Sequence, residues 1–187
     1  MTDIIFVTGN QNKADYLTKL LEMPMQHHKI DLDELQSTDL KEIVEHKVRQ
    51  AYEKVQKPVL VEDISFGFRA LNGLPGPFIK FFLQPADGPE KLCRILDSFD
   101  DRRATAECAF GYFDGKRLEF LVGRLDGVVA DHPRGENGFG WDAIFCPDGY
   151  DGRTRAELSN DEYDELYPTI RPVAALRALL QEIQEDR

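Results

Sequence analysis

Three short constellations in the chain carry residue types able to handle a phosphorylated, metal-bound ligand. The first is Thr8-Gly9-Asn10-Gln11-Asn12-Lys13. It follows a short apolar run, Ile4 to Val7, and precedes Ala14, Leu17, Leu20 and Leu21 at helical spacing. A turn that opens a helix presents free backbone N–H groups to an anion. Gly9 permits close approach, Thr8 and Asn10 bring side-chain donors, and Lys13 puts a positive charge in the first turn. A cation is unfavourable at that end of the macrodipole. An anion arriving between them would account for it; an ordinary βα turn with a solvated lysine is the alternative. The two commonest phosphate fingerprints, GxxxxGK[ST] and GxGxxG, are absent.

The second constellation is acidic. Glu62-Asp63 stands at the end of the apolar run Val59-Leu60-Val61, where α/β folds place ligands. Glu34 lies in the acidic turn Asp31-Leu32-Asp33-Glu34. Hard oxygen donors of this kind suit Mg²⁺, which keeps several waters and bridges to substrate phosphates; solvated turns explain the same residues equally. The third is Gly138-Phe139-Gly140-Trp141-Asp142, which holds the single tryptophan. Glycines around two aromatics form a backbone that can fold against a flat ring, either a nucleobase or another part of the core.

Several elements must position these residues. Leu40, Ile43, Val44, Val48, Ala51, Tyr52 and Val55 share one face of a helix over 39–56. Asp39 with Glu42 resembles a capping box, and Pro58 stands just beyond the end. Gly73-Leu74-Pro75-Gly76-Pro77 is expected to be a constrained loop that breaks any strand ladder. Pro89 suits the first turn of a short helix carrying Leu92, Cys93 and Leu96. Residues 104–113 and 116–122 read as a hairpin with a two-residue turn at Asp114-Gly115, continued by 125–130. Pro172 opens a last helix with Leu176, Leu179, Leu180 and Ile183 inward. Helices interleaved with a strand-rich middle predict a mixed α/β fold.

With 187 residues, the chain fits one domain or two closely joined lobes. A formal net charge of −11 without a basic run argues against nucleic-acid polymers as partners. A small anion remains compatible if cations or a metal gather locally. The scattered Cys93, Cys108 and Cys146 form no CxxC pair, so they are expected to be buried hydrophobes. No stretch reaches membrane-spanning length and no signal peptide is evident, so a cytoplasmic address is expected.

In order and spacing, FVTGNQNK, PVLVEDISFGFRALNGLPGPFIKFF, and GFGWD followed by IFCPDGY resemble the inosine triphosphate pyrophosphatase family over Ile5 to about Tyr150. The resemblance implies hydrolysis of nucleoside triphosphates to monophosphate and pyrophosphate, with deaminated purines (ITP, dITP, XTP) favoured. It implies Mg²⁺ as cofactor, a homodimer, and one domain over 1–187. The implied fold is a long mixed sheet flanked by helices, in two lobes with the active site in the cleft. By position, Thr8, Gly9, Asn10 and Lys13 match the triphosphate loop, and Glu34 and Asp63 match metal ligands. Asp63 is also the candidate base, with Lys13 and Glu34 in the catalytic set and Glu62 as an assisting neighbour. Lys47 and Lys80 match substrate lysines, and Phe139, Gly140, Trp141 and Asp142 match the base-binding segment.

The chain departs from the family near its C-terminus. Where the family carries a lysine followed by Ser-His-Arg, only Arg171 matches. Ile170 stands in place of the histidine, no lysine occurs between Arg155 and Arg171, and Ala143 replaces a proline. Base selectivity is therefore expected to be altered. A nucleotide-binding protein that senses without hydrolysing is the rival reading; Glu34, Asp63 and Lys13 together favour the enzyme, because binding alone needs no water-activating base. A dinucleotide-dependent oxidoreductase is disfavoured by the missing GxGxxG.

Overall fold

The computed structural model describes residues 4–21, 23 and 25–185. The chain order is β1 (Ile5–Val7), α1 (Gln11–Leu21), β2 (Gln26–His28), α2 (Leu40–Val55), β3 (Val59–Phe68) and β4 (Pro75–Gly76). There follow α3 (Ile79–Leu83), α4 (Gly88–Ile95), β5 (Arg103–Phe113), β6 (Leu118–Val129), β7 (Phe145–Pro147), α5 (Asn160–Ile170) and α6 (Val173–Glu185). Among the described residues the strands form one seven-stranded sheet in the order β2-β1-β3-β5-β6-β7, with β4 on β3. β1 runs parallel to β2 and β3, whereas β4 and β7 join antiparallel, so the sheet is mixed and the fold is α/β. No described helix is long and apolar enough to cross a membrane.

The chain separates into two compact units. One comprises the described residues of 1–63, 108–123 and 171–187; the other comprises 64–107 and 124–170. The first is built on α2. Its stripe of Leu40, Val44, Val48 and Ala51 packs with Ile5, Val7, Val59, Val61 and Ala109. Val44 and Val48 are wholly buried, each contributing about 1.5–3 kcal/mol of hydrophobic stabilisation. α2 begins where Asp39 accepts a hydrogen bond from Lys41 N at 2.8 Å. The expected reciprocal box does not form, because Glu42 is taken by the Ser37 hydroxyl at 2.8 Å. The second unit is built on aromatics. Phe66 stacks on Trp141 at 4.9 Å, and Phe68 and Phe145 meet Phe66 edge-on.

Local rules misplace several boundaries. β3 does not end at Glu62-Asp63 but continues through Phe68, since Ser65, Phe66 and Phe68 are also buried and extend the packed strand. Pro75 and Gly76 do not break the ladder: they pair with Gly67 and Phe66, which an edge position allows proline to do. The hairpin turn spans 114–117 rather than two residues, because the Asp114 carboxylate accepts from both Lys116 N and Arg117 N at 2.8 Å. β6 absorbs the separate strand expected after Leu125. β2, β7, α3 and α5 lack a sequence signal strong enough to mark them. In α5, the inward stripe Tyr163, Leu166, Tyr167 and Ile170 is masked by acidic neighbours and by Pro168 inside the helix.

Close approach requires glycine at position 127. β6 and β7 pair with Gly127 opposite Pro147. A β-carbon at Gly127 would collide with the Cys146 carbonyl oxygen and come within 2.8 Å of the Phe145 ring. Gly127→Ala is expected to destabilise the protein by about 1–3 kcal/mol, the range for overpacking. Urea unfolding measures this, and an unchanged midpoint would show that the two strands do not approach so closely.

Candidate active site

The loop after β1 is organised by its own side chains. Asn10 Oδ1 accepts from Lys13 N at 3.3 Å, as an N-cap does, and Thr8 Oγ1 accepts from Asn10 N at 3.2 Å. Thr8 and Asn10 thus act as local acceptors as well as carrying donors. His27 of β2 bonds the Thr8 carbonyl oxygen through Nε2 at 2.8 Å, tying the loop to the neighbouring strand. Gly9 is exposed, and nothing lies within 4 Å of where its β-carbon would be, so its backbone face is open. The first turn of α1 holds no acidic residue.

Lys13 nevertheless has an anionic neighbour. Its Nζ lies 3.1 Å from Glu62 Oε1, and Arg171 Nη2 lies 3.4 Å from the same oxygen. The side chains are 15%, 1% and 6% exposed for Lys13, Glu62 and Arg171. Burial opposes ionisation of Glu62, but Lys13 and then Arg171 outweigh it and hold the carboxyl well below the usual carboxylate range. For Lys13, burial again opposes the charge, and Glu62 and Asp63 reverse it, raising the ammonium above its ordinary value. The lysine is therefore a permanent cation at the mouth of an N-terminal helix turn. Cys108 is buried close by, and desolvation and Glu62 push its thiol far up, so it stays neutral.

Adjacent on β3, Asp63 receives Lys47 Nζ of α2 at 2.8 Å, and the same ammonium reaches the Glu62 carbonyl oxygen at 3.4 Å. Alternation along the strand turns Glu62 into the interior and leaves Asp63 part-exposed, at 25%. Glu34 is exposed in the connection between β2 and α2. Gln50 of α2 holds that connection through Asp33, accepting from its backbone N–H at 2.7 Å and donating to its carboxylate at 3.3 Å. Lys54 bonds the Asp31 carbonyl oxygen. Helix α2 is thus the brace for both Asp63 and the Glu34 segment. Two accessible carboxylates offer only hard oxygens. Among the described residues no cluster of three or more His, Cys, Asp or Glu exists. A donor set of one or two carboxylates fits Mg²⁺, which completes its shell with water and substrate phosphates.

The other expected residues lie in the second unit. Lys80 is exposed on α3, with Nζ 4.9 Å from the Phe81 ring centre. Phe139 is 54% exposed, whereas Trp141 and Asp142 are buried. Trp141 stacks on Phe66 and meets Phe145 edge-on at 5.6 Å, so the ring is part of the core. Asp142 Oδ2 accepts from Phe139 N at 2.9 Å and from the Tyr163 hydroxyl at 2.8 Å, which fixes the Phe139–Asp142 turn. Ile170, at the end of α5, is buried. Cys93, Cys108 and Cys146 are all free and buried, as expected.

Sequence reasoning passes over two residues. His27 sits in a strand of alternating exposed and half-buried polar residues, with no motif to mark it. Arg155 is 1% exposed, yet nothing in Gly152-Arg153-Thr154-Arg155 separates it from a surface arginine. Its Nη1 lies 2.8 Å from Asp142 Oδ1.

The profile of the Ham1 family matches residues 4–179. The chain is 41% identical over 178 residues to the inosine triphosphate pyrophosphatase 2 of Trypanosoma cruzi, covering 94% of this chain and 90% of that protein. It is 43% identical over 166 residues to the inosine triphosphate pyrophosphatase of Schizosaccharomyces pombe, covering 87% and 86%. A HAM1 protein structure from Coxiella burnetii superposes with a TM-score of 0.86 at 26% identity, over 97% of this chain and all of that one. The Staphylococcus aureus Ham1 protein, at 24% identity and TM-score 0.81, shares the fold.

Proposed function

Because this chain belongs to the Ham1 family, we propose that it hydrolyses nucleoside triphosphates to monophosphate and pyrophosphate in the presence of Mg²⁺, favouring deaminated purines. The relatives named above carry the activity in their names. The observation that carries the proposal to this chain is the grouping, within one compact unit, of the open Thr8–Asn10 loop, a half-buried permanent cation at Lys13, and the Lys47–Asp63 pair.

The loop backbone and the first turn of α1 receive the triphosphate, with Lys13 supplying countercharge where the bridging oxygens become more negative. Glu62 holds Lys13 in place and is too acidic to take up a proton in this setting. Asp63, part-exposed and beside Lys47, orients the attacking water and accepts its proton. Glu34 and Asp63 would hold Mg²⁺, which, when bound, neutralises phosphate charge. Positioning and charge stabilisation of this kind suffice for attack at phosphorus. The protein is further proposed to work as a cytoplasmic homodimer; light scattering giving a mass near 21.4 kDa would refute the dimer.

A panel of triphosphates incubated with Mg²⁺ tests the activity. Pyrophosphate is expected as the product, most rapidly from inosine or xanthosine triphosphate. Excess chelator is expected to abolish release and added Mg²⁺ to restore it. Release of orthophosphate instead of pyrophosphate would assign another reaction, and full turnover in chelator would remove the metal from it.

A further inference from the structure

Arg155 is the largest wholly buried side chain in the described chain, and only part of its guanidinium is used. Nη1 pairs with Asp142 Oδ1 at 2.8 Å. The rings of Trp141 and Tyr163 pack against it, with centres 5.1 and 4.7 Å from Cζ. Nε and Nη2, both buried, have no hydrogen-bond partner among the described residues. Asp142 cannot turn to serve them, because its other oxygen is held by Phe139 N and the Tyr163 hydroxyl. The β-carbon of any other residue at Gly138 would collide with that same oxygen. Buried N–H groups left unpaired are costly, so a side chain kept with two of them on one edge calls for a partner.

The Nε–Nη2 edge is a rigid fork that fits two adjacent acceptors lying in one plane. Carboxylate, phosphate and the edge of a heterocycle all have that form. Charge decides among them. Asp142 already neutralises Arg155, and an added anion among these aromatic side chains would be buried without a counter-ion. A neutral ring with two neighbouring acceptors is favoured. A 6-keto purine presents them as O6 and N7, whereas adenine offers N7 beside an amino donor that would face Nη2 donor to donor.

We propose that Arg155 is a specificity-determining residue that reads the O6 and N7 acceptors of a 6-keto purine. This rests on the reading of the protein as a nucleoside triphosphate pyrophosphatase. It supplies a fork in a chain that lacks the family's lysine and histidine. Because Arg155 is buried, its cover must shift when the base arrives.

Arg155→Lys keeps a positive charge toward Asp142 and removes the fork. kcat/KM is compared for inosine triphosphate, its 7-deaza analogue and adenosine triphosphate, in the parent protein and the variant. The parent is expected to favour inosine over 7-deazainosine triphosphate by about 10-fold or more, within the range of one bidentate contact. In Arg155→Lys that ratio is expected to fall to near one, and the inosine-to-adenosine ratio to drop by about 10-fold or more. Equal rates for inosine and 7-deazainosine triphosphate in the parent would overturn the proposal, whether or not the variant folds. So would ratios unchanged in Arg155→Lys. If the parent hydrolyses no triphosphate, the pyrophosphatase reading fails. Calorimetric binding of inosine against 7-deazainosine then judges the fork alone: a preference for inosine sustains it, and equal binding, or none, overturns it.

Discussion

Asp63→Asn is expected to lower pyrophosphate release by about 10²-fold or more, the scale of removing a general base, with the fold intact. The substitution keeps the shape of the side chain and removes the charge proposed to orient water and metal. What it gives up structurally is small. Asp63 is 25% exposed and its partner Lys47 is 21% exposed, so solvent shares the screening of both. Lys47 keeps the Glu62 carbonyl oxygen as an acceptor at 3.4 Å. The expected signature is therefore a cooperative unfolding curve close to that of the parent protein, paired with a collapse in turnover. A folded Asp63→Asn variant with a near-normal rate would take Asp63 out of the chemistry and leave it a surface ion pair.

The neighbouring carboxylate should behave in the opposite way. Glu62→Leu is expected to destabilise the protein by about 3–5 kcal/mol, the cost of removing one partner from a buried ion pair. Two cations converge on Glu62 Oε1, Lys13 at 3.1 Å and Arg171 at 3.4 Å, and its side chain is 1% exposed. Leucine fills the space but leaves both cations without that carboxylate in a poorly solvated place. Glu62→Gln keeps an acceptor oxygen for them and should lose less. Denaturant unfolding of the three proteins would show the order parent, Glu62→Gln, Glu62→Leu. If Glu62→Leu unfolds at the parent midpoint, Lys13 and Arg171 have ready access to water and the cluster is not the anchor described above. Two adjacent acids thus separate by role: one, facing inward, holds the cations in place, and the other, facing outward, is the one proposed to meet the substrate.

That separation was partly legible in the sequence. An apolar run entering Glu62-Asp63 marks a strand, and strand alternation requires adjacent residues to face opposite ways. Which of the two faces inward depends on what lies on either side of β3, and a run read as ending at Val61 does not say. The expectation that an anion would sit beside Lys13 also had a sound local basis, the adverse macrodipole. The structure supplies a protein anion there, from a strand 49 positions away in the chain. Trp141 illustrates the same limit: glycines around an aromatic ring are compatible with a base platform or a core plug, and Phe66 stacking at 4.9 Å makes it core.

By itself the sequence determined the α/β class, the reach and inward face of α2, the N-terminal turn with its open glycine, and the hard-oxygen character of the acids. Each follows from periodicity, capping chemistry or side-chain type, which operate within about one turn or one strand. Only the tertiary structure decided that Arg171 meets Glu62 across 109 positions. It alone brings Lys47 from α2 onto Asp63, and leaves an ordinary-looking arginine at 155 buried with two of its three guanidinium nitrogens unpartnered among the described residues. Those outcomes depend on which faces the sheet and helices bring together. Ion pairing and burial are set by that meeting of distant segments, and residue spacing along the chain carries no record of it.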